Sequence, residues 1–155
     1  MPHFKTRHTV SHSADDMFAL VADVRAYPEF VPLCQSLRVR GESNLADGKS
    51  VIVADMTVAY KVFRETFTSR VTLDPKARQI VVTYLDGPFK KMENRWSFEA
   101  LDNSRCVVEF YIDYEFRSRT LASLMGAMFD RAFRKFSTAF EARADSLYGT
   151  DANPA

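Results

Sequence analysis

Cysteine is scarce in this chain: Cys34 and Cys106 are the only two, too few for a disulfide framework or a thiolate metal cluster. Both read as buried, reduced thiols of an intracellular protein. Excess charge of one sign is lacking too, since 21 Lys and Arg face 20 Asp and Glu for a net charge of +1. Nucleic-acid binders carry a surplus of positive charge, so DNA is not an expected partner, although local basic patches are left open. No run of about 18 apolar residues occurs, and no membrane-spanning helix is expected. Neither a signal-peptide pattern nor an Arg- and Ser-rich leader precedes the first strand pattern, as in a cytoplasmic bacterial protein or a processed organelle one. Serine-hydrolase elbows, HExxH, Walker loops and Rossmann glycine patterns are all missing.

What the chain does contain is apolar surface in regular register. Its 155 residues are 46% hydrophobic and 26% charged, which suits one domain over residues 1–149, with 150–155 (TDANPA) as a disordered tail. The stretch from Ser118 to Gly149 contains no proline and repeats apolar residues at helical spacing, including Leu121, Leu124, Met125, Met128, Phe129, Phe133, Phe136 and Phe140. Ser118 is placed to cap its start and Gly149 to end it. Such a helix is about 45 Å long, with an apolar stripe covering about half its circumference. That width fits either plain packing on a sheet or a helix that also walls a cavity.

Before the helix, the pattern is dominated by strands. His3 to Ser11 alternates loosely, and Ser13-Ala-Asp-Asp opens a short helix ending near Asp23. Tyr27 to Cys34 is an apolar connector that Pro28 and Pro32 bar from regular helix. Strands are expected over Leu37 to Glu42, Ser50 to Tyr60, Val62 to Leu73 and Gln79 to Leu85, then around Met92 to Phe98 and Cys106 to Phe116. Charged residues alternate with apolar ones, so the sheet is antiparallel with one covered face. The expected fold is α+β: a curved antiparallel sheet of about seven strands gripping one long C-terminal helix.

Chemistry-bearing residues are few. His3, His8 and His12 lie close in sequence, but no Cys or acid is spaced with them as metal ligands, and no cofactor is expected. Cys34 has no nameable partner base and reads as structural. Glu65, Ser69 and Asn94 share strand faces with Phe63, Phe67 and Trp96. They either orient a ligand head group in an apolar cavity or are turned to solvent by a bulge. Phe30, Val31 and Leu33, on the proline-stiffened connector, plug a cavity mouth, dip into a bilayer or pack in the core. Arg64, Arg70, Arg95, Arg131, Arg134 and Lys135 read as solvated faces, or as attractors of anionic lipid at about 1 kcal/mol per charge.

Three ordered segments resemble one family. Tyr27-Pro-x-Phe-Val-Pro-x-Cys34, Gly87-Pro-Phe89 followed by Trp96-x-Phe98, and Phe140-Glu-x-Arg-Ala144-x-x-Leu-Tyr-Gly149 are similar to signatures of the coenzyme Q-binding START-domain proteins. The chain departs from them at Leu33, where many relatives carry Trp. The resemblance implies a helix-grip (START/Bet v 1-like) fold with a hydrophobic tunnel beneath the C-terminal helix. Some members bind ubiquinone and support its delivery to respiratory enzymes. A bacterial branch comprises ribosome association toxins, and the wider superfamily includes polyketide cyclases and dehydrases.

Three functions are therefore weighed. The first is a non-catalytic carrier or chaperone for ubiquinone or another polyprenyl quinone or lipid, cytoplasmic with peripheral contact at the inner membrane. Its expected ligand contacts are Phe30, Val31, Leu33, Phe63, Glu65, Phe67, Asn94, Trp96, Leu124, Met128 and Phe136. The second is a ribosome-associated toxin that blocks subunit association. The third is a cyclase-type enzyme, for which Glu65 is the one candidate acid or base.

Overall fold

The computed structural model describes residues 3–60 and 63–149. The tail expected to be disordered, 150–155, lies outside the described residues. Seven strands form one antiparallel sheet: β1 (His3–Val10), β2 (Cys34–Asn44), β3 (Ser50–Tyr60), β4 (Phe63–Asp74), β5 (Gln79–Asp86), β6 (Phe89–Ala100) and β7 (Cys106–Phe116). Their spatial order is β1-β7-β6-β5-β4-β3-β2. The strands from β2 to β7 follow one another as a meander, so every step is a local antiparallel connection. Only the first crossing is long: α1 (Ala14–Ala22) and the connector carry the chain from the β1 edge to the β2 edge. The second helix, α2 (Arg119–Tyr148), lies on the covered face.

Alternation decides which face is covered. Cys106, Val108, Phe110, Ile112, Tyr114 and Phe116 of β7 are all buried, while Glu109, Asp113 and Glu115 on the other face are half-exposed. Those carboxylates pair with Lys5, Arg7, Lys90 and Lys91 of the flanking strands. Facing the sheet, α2 buries Met125, Phe129, Ala132, Phe133, Phe140 and Ala144, a stripe of helical period. Both helix ends are closed as the sequence suggests. Ser118 Oγ accepts from the Leu121 N–H at 3.1 Å, and Gly149 takes φ 83° while donating to Asp145 O at 3.0 Å.

Two expectations need correction. The connector is partly helical: a 3-10 helix spans Val24–Glu29 and contains Pro28. It tolerates proline because Tyr27 O accepts from both the Phe30 and Val31 N–H groups, which puts Pro28 at the first position of a turn, where no N–H is needed. Strand β2 is also longer than Leu37 to Glu42, since backbone pairing to β3 extends it through two register shifts although most of its side chains are exposed. Apolar alternation cannot mark an edge strand that buries so little.

Candidate functional site

Between the sheet and α2 lies a cavity of about 100 Å³. Two aromatic clusters bound it. Phe89 packs on Phe67, Tyr84, Phe116 and Phe129 at ring separations of 5.1–5.7 Å. Eleven residues further along α2, Phe140 meets Trp96 at 4.9 Å and Tyr27 at 5.4 Å. The Phe140 contacts are edge-on, as the ring quadrupoles favour, while the Phe89 cluster mixes edge-on rings with the stacked Phe116. The side of the cavity is closed by Val31, Pro32 and Leu33 of the connector with Leu37, Met56 and Val58.

The connector is held firmly. The Tyr27 hydroxyl donates to Val21 O at 2.5 Å, and burial pushes its pKa well above the usual phenol value. Phe30 packs edge-on against Phe140 at 5.0 Å beneath the Arg143 guanidinium, which also pairs with Glu29 at 3.0 Å. Leu33 has φ 67°, a left-handed conformation that costs a leucine energy, and its carbonyl accepts from Ala59 N–H at 3.0 Å. Strain of this kind at a cavity wall fixes where the side chain points.

The wall is almost wholly apolar. Its polar side chains are Tyr27, Ser69, Asn94 and the Trp96 indole N–H. Asn94 Nδ2 donates to Tyr111 O at 2.9 Å, and its Oδ1 accepts from Trp96 Nε1 at 3.1 Å, so these two hold each other in place. The wall contains no carboxylate, imidazole or thiol among the described residues.

The structure brings together Val31, Leu33, Phe67, Asn94, Trp96 and Phe136 in this wall. Phe30 stands behind it, in the connector's aromatic packing. Glu65 is half-buried on the concave register opposite Val58 but lies outside the wall. Met128 packs beside the core rather than in the wall. Leu124 is 52% exposed and does not touch the cavity. It precedes the buried Met125 by one residue and is therefore rotated by about 100° towards the solvent side, where Arg131 also lies. For Phe63 only the backbone, opposite Tyr60, is described. Tyr27, Phe89 and Phe140 are wall residues that the sequence reading did not single out as contacts, although the motifs carrying them were visible.

Outside the cavity, Cys34 and Cys106 are buried free thiols, each with its pKa pushed up to about 11 chiefly by burial. A thiol so far from ionising is a poor nucleophile. His12 is buried and paired with Asp145 at 2.7 Å, and no cluster of three potential metal ligands occurs among the described residues. No helix of the described residues is long and apolar enough to cross a membrane.

Charge on the convex face is unevenly spread. Around β1, β6 and β7 it is mixed and paired. Around β2 to β4, Arg38, Arg40, Arg64 and Arg70 are exposed; Arg40 meets Asp55 at 3.5 Å, while Glu42 and Asp74 at the strand ends pair with Arg25 and Lys49. Arg38, Arg64 and Arg70 make no ion pair among the described residues.

Known proteins place this architecture. A START superfamily protein from Mycobacterium smegmatis matches with a TM-score of 0.77 at 20% identity, covering 94% of this chain and 98% of that one. The ribosome association toxin RatA of Vibrio cholerae is 36% identical over 140 residues, 90% of this chain and 93% of that protein. The mitochondrial coenzyme Q-binding protein COQ10 homolog B of Xenopus laevis is 30% identical over 146 residues, 92% of this chain and 57% of that longer protein. Residues 10–141 match the family described as polyketide cyclase/dehydrase and lipid transport. By that match and these identities, this helix-grip chain belongs to the polyketide cyclase/dehydrase and lipid transport family.

Proposed function

We propose that this protein binds ubiquinone or a related polyprenyl quinone in the cavity beneath α2 and acts as a non-catalytic carrier. The observation that carries this reading is an apolar cavity closed by a proline-stiffened connector. The coenzyme Q-binding name of one relative supports the ligand class. Acid-base chemistry needs a group at the ligand, and Glu65, the one candidate for a cyclase-type step, stands outside the wall. At about 100 Å³ the cavity is smaller than the roughly 300–1,000 Å³ of ordinary ligand sites, so loading requires the connector or α2 to yield. Moving an isoprenoid tail from bilayer to cavity changes its solvation little, which suits exchange with a membrane by peripheral contact. Lipid extraction and mass spectrometry of the purified protein test the reading. Recovery of a quinone is the expected result; lipid-free protein that also refuses short-chain quinones overturns it.

A second reading is favoured by the arginines of the convex face. They form a basic patch that the near-zero net charge hides, and relatives at 36% identity are named ribosome association toxins. In this reading the patch faces ribosomal RNA. Cosedimentation with ribosomes that weakens steeply with salt is its expected signature.

A further inference from the structure

Ser69 is 6% exposed, lines the cavity, and its Oγ has no hydrogen-bond partner among the described residues. A buried hydroxyl left unpaired is destabilising, and its neighbours in the wall, Ala54 and Val71, are apolar. The alternation of β4 puts Ser69 on the cavity face with Phe67 and Val71, and its register against β3 is unbroken there. Ser69 stands opposite Ala54 of β3 and Tyr84 of β5 on the concave face, and the extra residue of the neighbouring register shift, Leu85, lies on β5. Other polar groups nearby are committed: Tyr84 OH accepts from Phe89 N–H, Asn94 holds Trp96 and Tyr111, and Tyr27 donates to Val21. Among the described residues Ser69 is thus the wall's polar side chain whose oxygen has no partner at all.

We infer that the Ser69 hydroxyl anchors the ligand by donating to a neutral carbonyl oxygen on an otherwise apolar molecule. The wall selects this chemistry. It offers one free hydroxyl and no countercharge, so a phosphate or carboxylate would be buried without compensation. A polyol or sugar would bring several donors and find no acceptors for most of them. A quinone, ketone or ester brings acceptors only, and one of them suffices for Ser69. The inference rests on the proposal that the cavity takes a lipid, and it specifies that ligand's polar end.

Two probes separate the anchor from the cavity: a decyl-tailed benzoquinone, and decylbenzene, which has the tail and ring but no carbonyl. Calorimetric titration of the full chain is expected to show the quinone binding more tightly to wild type. Ser69→Ala should weaken the quinone about tenfold and leave decylbenzene unchanged, while Ser69→Thr, which keeps the hydroxyl, retains the preference. Ser69→Ala removes an unpaired hydroxyl, so its folded state, checked by thermal melting, is expected to be at least as stable as wild type. If Ser69→Ala keeps the wild-type preference, or weakens both probes equally, the anchor is overturned while the cavity stands. If neither probe binds wild type, the cavity reading falls and the anchor with it.

Discussion

Leu33 takes a left-handed backbone while its side chain walls the cavity, so its two roles oppose each other energetically. Glycine adopts φ 67° freely, whereas leucine and alanine pay about 1–2 kcal/mol there. The usual order of substitutions should therefore reverse: Leu33→Gly is expected to be more stable than Leu33→Ala by about 1 kcal/mol in urea denaturation. Both should bind quinone more weakly than wild type. At Gly87 the demand runs the other way. Its φ is 143°, and an added Cβ would lie 2.5 Å from Phe67 Cβ and 2.9 Å from Phe67 Cα. Neither neighbour can step aside, because one is backbone and the other is the root of a cavity side chain. Gly87→Ala should cost more than about 2 kcal/mol by the same assay. The thiols give a pH signature. Burial raises Cys34 and Cys106 from 9.0 to about 11, so both states hold their protons below pH 9. Above it the unfolded thiols ionise first, and stability falls between pH 9 and 11 before the native thiols follow. Cys34→Ala should show a shallower loss across that window.

Elements were the most legible scale. The alternation from Ser50 to Tyr60 sets the observed bounds of β3, and Ser118 and Gly149 cap α2 as their side-chain chemistry and backbone freedom require. Ser118→Ala is accordingly expected to lower stability by about 1 kcal/mol, read from the denaturation midpoint. Strand β2 extends beyond its apolar pattern because an edge strand is set by backbone pairing, which leaves little trace in side-chain pattern. Along α2 the apolar stripe is wider than its cavity-facing part. Of Leu124, Met128 and Phe136 only Phe136 lines the cavity, and one residue of helical rotation separates Leu124 from the buried Met125. The site itself is only half legible. Asn94, Trp96, Phe67, Ser69 and Leu33 follow from strand and connector position, but the missing partner of Ser69 and the mutual bond of Asn94 and Trp96 depend on what the fold brings beside each residue, which single-strand periodicity does not contain.

At the scale of the molecule, one sheet presents two unlike surfaces back to back. Its concave face holds the cavity, and its convex face around β2 to β4 holds the arginines. Because side chains alternate across the pleat, neighbours in one strand belong to different surfaces: Ser69 faces the cavity and Arg70 the outside. The two readings of function are therefore separable by mutation. Arg38→Gln with Arg70→Gln removes two exposed cations that make no ion pair among the described residues, and folding should be little affected. If the convex face meets ribosomal RNA, this double variant loses cosedimentation and its dependence of log affinity on log salt flattens by roughly 1.5–2, while quinone titration is unchanged. Ala54→Phe does the reverse. Ala54 is 5% exposed in the cavity wall, and a phenyl ring there occupies the space a ligand ring would take. It should abolish quinone binding and leave ribosome binding intact, provided thermal melting shows the variant folded. A carrier that never meets the ribosome would respond only to Ala54→Phe, and a toxin indifferent to lipid only to the arginine pair. Response of one cellular phenotype to both variants would mean that the two faces serve a single function, with occupancy of the cavity coupled to docking of the convex surface.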